Sequence, residues 1–334
     1  MIRSFKPVII FFAIIIAAGG FLSCSPGGYS GPAESITLGT VLQEGSIPLF
    51  VAENQQFFAN NGLGITMKYY DTGAQTINEM LKGEVDISSP ASDYALVNQI
   101  MNKAAIQTIG STGKLNYIGI IGRKDRGITT VSQLTGKRIG IIHGTSLDFF
   151  LGRFLSLNRI DMKDVIMVDM PSFSQMTDAI IKGDVDAIIS VSPYRETAAE
   201  KLGDNAVSWQ AQSGQMIYLL ATCRNQWISQ HPALVERYLK SIDQAEEFIA
   251  RHPEDAKAIA KKKLNLTDDE ISSMWKRNQF SLSLEESLIA AMEDEARWMI
   301  NNNLTAEKKV PNMVDYIYED ALKTVKPETV DIIR

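Results

Sequence analysis

Two stretches of the chain, AQTINEMLKGEVDI (residues 74–87) and SQMTDAIIKGDVDA (residues 174–187), align without a gap. In each stretch apolar side chains recur at helical spacing, and a Lys-Gly-acid-Val-Asp segment then leads into an apolar strand. The glycine favours the left-handed conformation that commonly ends a helix. Asp86 and Asp186 are therefore interpreted as turn or capping residues rather than as catalytic groups. The repeat indicates a duplicated structural unit.

The same order of elements surrounds both stretches. A strand, a helix and a second strand precede each of them, at 35–40, 48–58 and 65–69 in the first half and at 138–142, 146–157 and 165–168 in the second. From about Trp227 long amphipathic stretches dominate, and the prolines after His231 and His252 are typical of helix boundaries. We predict an α/β protein of two lobes, with the C-terminal helices packed on the first lobe.

Composition limits the function classes. The chain has 334 residues, 45% hydrophobic and 22% charged, which is an ordinary globular balance and fits about two domains. A net charge of −6 argues against a nucleic-acid surface. Two cysteines exclude a disulfide scaffold, and three scattered histidines give no metal cluster, so we expect no metal and no cofactor. Without a recognisable catalytic motif, we also expect a protein that is not an enzyme.

The first 23 residues are typical of an export signal. Arg3 and Lys6 precede an apolar run at 8–18, which is shorter than the roughly 20 residues that a transmembrane helix needs. The small residue before Cys24 is typical of a bacterial lipobox, in which Cys24 is lipidated and becomes the new N-terminus. An ordinary signal peptide with a chance cysteine, or an uncleaved anchor, stays open. Residues 24–34 are rich in Gly, Pro and Ser and are interpreted as a flexible tether.

The loops that leave the strands hold the candidate ligand site, because open α/β sheets bind ligands at the carboxyl ends of their strands. These loops are rich in glycine and hydroxyl groups and open helices, which suits a small anion or a polar head group. Plain helix capping explains each loop taken singly. The loops span 43–46, 88–93, 110–113, 143–146 and 190–195, and their candidate contacts include Ser92, Ser111, His143, Thr145, Ser146 and Tyr194.

Two of these candidates have an alternative structural role. His143 either donates to a ligand or satisfies a loop carbonyl. Tyr194, with Tyr94 in the first lobe, either stacks on a ligand or covers the sheet. The remaining cysteine, Cys223, lies in an apolar stretch and is interpreted as a buried small hydrophobe.

The motifs together resemble the substrate-binding proteins of ABC importers, in the group that includes the nitrate, taurine, aliphatic-sulfonate and thiamine-pyrimidine-precursor binding proteins. IPLFVAENQQFF (47–58), QLTGKRIGIIHG (133–144) with the following Thr145, and the two repeats carry this resemblance, which covers about 36–303. It implies a two-lobed periplasmic-binding-protein fold of type II, the Venus flytrap. The expected boundaries are 35–123 plus 215–334 for lobe 1 and 124–214 for lobe 2.

The resemblance also implies a function. Such proteins bind a small anionic or heteroaromatic nutrient between the lobes and present it to a membrane permease and its ATPase. The family's pocket contacts map onto Ser46, Ser89, Thr145, Ser146 and Ser192. Where the family often has Trp-x-Pro, this chain has Val191-Ser192-Pro193, so an aromatic wall is either missing or supplied by Tyr194.

The expected protein is thus a monomer at the periplasm or cell surface, held at the membrane by lipid on Cys24. A ligand-sensing lipoprotein that reports to a membrane partner and an enzyme on the same fold remain as alternatives.

Overall fold

The computed structural model describes residues 29–334, and the expected signal segment and Cys24 lie outside these residues. The strands are β1 (Glu34–Val41), β2 (Leu63–Tyr70), β3 (Ile87–Ser92), β4 (Ile106–Leu115), β5 (Ile118–Arg123), β6 (Arg138–Ile141), β7 (Ile166–Asp169), β8 (Ala187–Val191), β9 (Ala206–Gln210), β10 (Ile217–Arg224) and β11 (Asn278–Gln279). The helices are α1 (Ile47–Asn54), α2 (Phe57–Asn60), α3 (Gly73–Lys82), α4 (Asp93–Met101), α5 (Ser146–Leu157), α6 (Phe173–Lys182), α7 (Tyr194–Leu202), α8 (Asn225–Gln230), α9 (Pro232–Arg251), α10 (Pro253–Leu264), α11 (Asp268–Arg277), α12 (Glu286–Asn301) and α13 (Asp320–Val325).

The strands form two sheets of the same design. The first has the order β11-β4-β10-β3-β1-β2 and the second the order β7-β6-β8-β5-β9. In the first sheet β1 runs parallel to β2 and β3, while β10 joins β3 antiparallel. In the second sheet β6 runs parallel to β7 and β8, while β5 joins β8 antiparallel. The predicted α/β class and the two-lobed architecture are confirmed.

The duplicated stretches occupy equivalent places in the two sheets. α3 ends at Gly83 with φ 85° and α6 at Gly183 with φ 84°, the left-handed conformation that glycine adopts without strain. The Oδ2 of Asp86 accepts from the Thr37 backbone N–H at 2.8 Å, and that of Asp186 accepts from Arg138 N–H at 3.0 Å. Both aspartates therefore tie the end of the helix to the neighbouring strand, as the repeat predicts.

The chain crosses between the lobes twice, from β4 to β5 and from β9 to β10. The expected division after residue 123 needs correction, because β5 pairs with β8 and β9 in the second sheet. The first crossing therefore lies between Leu115 and Ile118. An apolar run such as β5 can enter either sheet, so its sequence alone does not reveal its pairing partners.

Gln212 joins the two crossing segments. Its Oε1 accepts from the N–H groups of Tyr117 (2.6 Å) and Ile118 (2.8 Å) on the first crossing. Its Nε2 donates to the carbonyls of Leu115 (3.0 Å) and Gln215 (2.9 Å). The side chain is buried, so a single amide without access to water bonds to four backbone groups.

The C-terminal helices pack mainly on the first lobe, as predicted. α9 packs on α1 and α13, and α12 packs on α4. α12 also reaches the second lobe, because its Trp298 ring lies edge-on to Phe149 of α5 with 5.6 Å between ring centroids. Among the described residues, no helix combines the length and the apolar character that crossing a membrane requires.

Candidate functional site

An open cavity lies between the two lobes, and the empty space within it and at its mouth is about 540 Å³. Its lining comprises Val41, Gln43, Gly45, Thr72, Gly73, Ala74, Pro90, Ala91, Ser92, Leu115 and Leu219 from lobe 1, Tyr117 from the first crossing, and Thr145, Ser146, Leu147, Phe173 and Val191 from lobe 2. Every one of these side chains is uncharged. A ligand in this cavity would therefore meet hydroxyl groups, backbone amides and apolar surface rather than a counter-ion.

Four helices begin at this cavity, two from each lobe. Residues at or next to the starts of α3 and α4 line it from lobe 1, and those of α5 and α6 line it from lobe 2. Thr72 accepts from Gln75 N–H at 3.2 Å and Thr145 from Leu147 N–H at 3.3 Å, so these caps satisfy only part of each first turn. The remaining first-turn N–H groups, with the positive end of each helix dipole, favour an anion or a polar acceptor.

The close approach of α3 to β3 explains the glycine at its start. A Cβ on Gly73 would lie 2.8 Å from the Ala91 Cα, closer than real side chains come. Gly73 therefore lets the helix start lie directly against the end of β3, and both segments line the cavity. Any larger residue would force the start of α3 and the end of β3 apart.

Three predicted site residues come together in this cavity. Ser92 lies at the end of β3, whereas Thr145 and Ser146 lie at the start of α5 in the other lobe. The Thr145 hydroxyl donates to the Ile142 carbonyl at 2.7 Å, which fixes the turn between β6 and α5. These three residues stay in the proposed site.

Four predicted residues do not line the cavity. Ser46 is buried and donates to the Val41 carbonyl at 2.6 Å, and Ser111 donates to the Gly113 carbonyl at 3.1 Å. Ser89 is buried on the side of the sheet that faces Tyr238 of α9. His143 lies beside the start of α5, with Nδ1 2.6 Å from the Asp148 Oδ1. We leave these four out of the proposed site because their side chains serve the turn, the strand or the core.

The environment of His143 shows what this side chain does. Its hydrogen bond to Asp148 raises the pKa of the imidazole above its usual value, and partial burial opposes this shift. The other oxygen of Asp148 accepts from the Gly144 N–H at 2.7 Å. The pair therefore fixes the loop that presents Thr145 and Ser146, rather than facing the cavity itself.

Ser192 and Tyr194 lie beside the cavity. Ser192 lines an adjoining space of about 780 Å³, which is here called the distal compartment. The distal compartment is lined by Leu42, Gln43, Glu44, Ser192, Pro193, Glu196, Leu264, Leu266, Asp269, Glu270, Ser273, Met274 and Arg277. Tyr194 stacks on Phe173, with 5.3 Å between ring centroids and 19° between planes. Phe173 lines the cavity, so Tyr194 packs directly against an aromatic wall of the cavity. Tyr94 is buried against Phe149 and has a structural role.

Several lining residues are not among the site residues that the sequence predicts. Thr72 caps α3, and the equivalent Ser172 caps α6 directly before Phe173. The repeat therefore indicates two equivalent helix starts, which contain the lining residues Thr72 and Phe173. Gln43 lies in the loop after β1, one of the loops expected to hold the site. Tyr117 lies on a crossing segment and is half-buried, and the loss of solvation raises the pKa of its phenol above its usual value. No local motif marks a crossing residue, so only the tertiary structure identifies it.

Groups suited to nucleophilic or metal chemistry are scarce in the described part of the chain. Cys223 is buried in β10, as predicted, and burial raises the pKa of its thiol well above the usual value. Residues 29–334 hold no group of three or more His, Cys, Asp or Glu side chains arranged for a metal ion.

Comparison with known proteins identifies the family. Residues 43–256 match the family described as NMT1/THI5 like. The chain is 21% identical over 320 residues to a putative aliphatic sulfonates-binding protein of Bacillus subtilis, covering 93% of this chain and 94% of that one. It is also 21% identical over 226 residues to the 4-amino-5-hydroxymethyl-2-methylpyrimidine phosphate synthase of Aspergillus parasiticus, covering 62% and 63%.

A solved structure has the same fold. The alkanesulfonate-binding protein SsuA of Xanthomonas axonopodis pv. citri, bound to MOPS, superposes with a TM-score of 0.75 at 17% identity, over 87% of this chain and 100% of that one. The family match spans more than half of the chain and includes both crossings and both helix starts of lobe 2. The protein therefore belongs to the NMT1/THI5-like family, and its fold is that of the periplasmic binding proteins.

Proposed function

We propose that this protein is the extracytoplasmic solute-binding component of an ABC importer. One observation carries the proposal: helix starts from both lobes meet at an uncharged cavity that only the two lobes together enclose. A small ligand with an anionic or polar head group would complete the unused first-turn N–H groups on both sides. Lobe closure would then bury the ligand and exclude water from these hydrogen bonds.

The head group is a sulfonate-like anion, with a heteroaromatic ring as the alternative. Sulfonate oxygens accept several hydrogen bonds at once, which suits hydroxyls and backbone amides from opposite lobes. The names of the Bacillus relative and of the Xanthomonas structure support this choice. The Aspergillus relative and the aromatic wall of Phe173 support the heteroaromatic alternative.

The proposal includes a membrane anchor and partners. A lipid on Cys24 would hold the monomer at the membrane through the tether at 24–34, within reach of a permease and its ATPase. The mature chain would carry a charge of 31 − 39 = −8, because Arg3 and Lys6 leave with the signal. Radiolabelled palmitate incorporation, lost in Cys24→Ala, would test the anchor.

Native mass spectrometry of the mature chain, followed by a thermal-shift panel, tests the function. The panel holds alkanesulfonates, taurine, nitrate, bicarbonate, thiamine pyrimidines and riboflavin. A true ligand at 100 times its Kd stabilises the folded state by ~2.7 kcal/mol, a clear upward shift in Tm. A bare chain with no shift for any compound would contradict the proposal. Turnover of a bound compound would instead establish an enzyme.

Ser146→Ala is the matched test of the helix-start site. Thr145 supplies the cap of α5, so removing the Ser146 hydroxyl leaves the cap in place. We expect affinity for the best panel ligand to fall about five- to tenfold, the loss of one hydrogen bond of about 1–1.5 kcal/mol. Ser156→Ala, on the exposed part of the same helix, should leave affinity unchanged. Equal affinity in both variants would remove Ser146 from the site.

A further inference from the structure

The cleft does not end at the cavity described above. Two loops line the cavity and the distal compartment with successive residues. Val41, the last residue of β1, and Gly45 in the following loop line the cavity, whereas Leu42 and Glu44 line the distal compartment and Gln43 lines both. Val191, the last residue of β8, lines the cavity, whereas the next two residues line the distal compartment. The two spaces therefore adjoin along the same pair of loops, one from each lobe.

Most of the distal surface is apolar. Pro193 of lobe 2 faces Leu264, Leu266 and Met274 of lobe 1 across it. Leu42 lines this space and is 52% exposed, so its side chain is accessible to a ligand there. Covering this surface with an apolar group would remove hydrocarbon from water on both sides. The compartment, at about 780 Å³ against about 540 Å³ for the cavity, is the larger of the two spaces.

The charges of the distal compartment select against anions. Its one basic side chain among the described lining residues, Arg277, donates from Nε to the Glu44 carboxylate at 3.1 Å. Glu44 also accepts from Asn278 Nδ2 at 2.8 Å, so this ion pair is internally satisfied. Asp269 and Glu270 of α11 add negative charge to the lining, and Glu196 of lobe 2 adds a carboxylate whose Oε1 accepts from Arg195 at 2.8 Å. A second negative group on a ligand would be repelled here.

We propose that the distal compartment binds the apolar tail of a monoanionic organic solute whose head group occupies the cavity between the helix starts. It discriminates against solutes that carry a second negative charge at the far end of the tail. This inference rests on the proposed function and specifies the substrate class of the same cleft. It makes Leu42, Leu266 and Glu196 specificity-determining residues, although they touch no head group.

Calorimetric titration with n-alkanesulfonates, from methanesulfonate to octanesulfonate, tests the tail. Each methylene that enters the compartment should raise affinity about fourfold, the equivalent of ~0.8 kcal/mol per buried CH2. The gain should stop when the compartment is full. Alkane-α,ω-disulfonates of matched length should bind at least about tenfold more weakly than the monosulfonates, since the acidic residues oppose the distal charge.

Substitutions in the distal compartment test whether it causes the dependence of affinity on chain length and on the second charge. Leu42→Gln and Leu266→Gln should flatten the dependence on chain length while leaving methanesulfonate affinity unchanged. Leu304→Gln is the matched control, since Leu304 is 47% exposed and lies outside both spaces. Glu196→Gln should reduce the discrimination against disulfonates.

The outcomes separate this inference from the proposed function. Affinity that is independent of chain length, with methanesulfonate binding intact, would overturn the tail assignment and leave the binding function standing. A chain-length slope that survives in Leu42→Gln and Leu266→Gln would also overturn it, by placing the tail elsewhere. Absence of binding by every anion of the panel would overturn the proposed function, and the tail with it.

Discussion

Within the described residues, two regions where the lobes meet are built in opposite ways. Along α4, α5 and α12 the contact is dry: Tyr94 and Phe149 are buried with ring centroids 6.2 Å apart, and Trp298 completes the cluster. In the cleft, hydroxyls and first-turn N–H groups of four helices face an open cavity. The aromatic contact is therefore fully packed without a ligand, whereas the polar groups in the cleft need a ligand to provide their hydrogen-bond partners. The two should respond differently to mutation.

Phe149→Ala should have the largest effect, and it acts on the dry contact. Phe149 is fully buried, and truncation of such a ring removes its packing against both Tyr94 and Trp298. We expect the free energy of unfolding to fall by about 3–5 kcal/mol. Urea denaturation of the empty protein measures this loss.

Leu157→Ala is the control on the same helix. Leu157 is exposed, so its truncation should change stability by less than about 0.5 kcal/mol. A stability loss in Phe149→Ala no larger than in the control would show that the lobes are not joined through this cluster.

Gln212→Ala tests the crossing segments that connect the two lobes. The truncation leaves two backbone N–H groups and two carbonyls without their partner. We expect a loss of about 2–3 kcal/mol, because buried polar groups without hydrogen bonds are costly. Gln215→Ala is the control, since Gln212 bonds only to backbone groups of Gln215, which the substitution retains. Equal stabilities of the two variants would contradict the role of Gln212.

A buried acid pair makes the dry contact sensitive to pH. Burial raises the pKa of Asp93 to about 7, although hydrogen bonds from the N–H groups of Tyr218 and Tyr94 act to lower this pKa. Burial, with the charge of Asp93, raises the pKa of Glu295 well above its usual value, and neither of its carboxylate oxygens has a hydrogen-bond partner. The folded state therefore holds protons that the unfolded chain releases above about pH 4.

Stability should consequently fall as pH rises from about 5 to 7, by up to about 1.4 kcal/mol per pH unit for each proton held. Glu295→Gln cannot ionise, so its Tm should fall less steeply and exceed that of the unmodified protein at pH 8. Glu293→Gln, half exposed on the same helix, should follow the unmodified protein. Parallel Tm profiles for all three proteins would show that the pair does not take up protons on folding.

The sequence predicted the parts of this molecule that depend on local patterns. Helical periodicity and a terminal glycine place α3 and α6, and Asp86 and Asp186 follow as turn residues because each helix ends in the same way. The membership of β5 in the second sheet was not predictable, because strand pairing is decided by distant segments.

The same limit applies to the candidate site. Residues at helix starts, such as Thr145 and Ser146, line the cavity because strand ends and helix starts converge there. Ser89 precedes the lining residue Pro90 by one position, and its side chain points into the core. β3 contributes Pro90, Ala91 and Ser92 to the lining but not Ser89, so a motif locates a strand end without telling which of its hydroxyls reaches the ligand.

The ion pair between Arg153 of α5 and Asp294 of α12 should have the smallest effect. The Arg153 Nη1 lies 2.5 Å from the Asp294 Oδ2, so this pair also joins the lobes, but both side chains are about two-fifths exposed. Water already solvates them, so Asp294→Asn should lower the free energy of unfolding by less than about 1 kcal/mol. A double-mutant cycle with Arg153→Leu isolates the pair from the cation–π contact that Arg153 makes with Phe149. A coupling energy close to the stability loss in Phe149→Ala would mean that charge, rather than aromatic packing, joins the lobes at the dry contact.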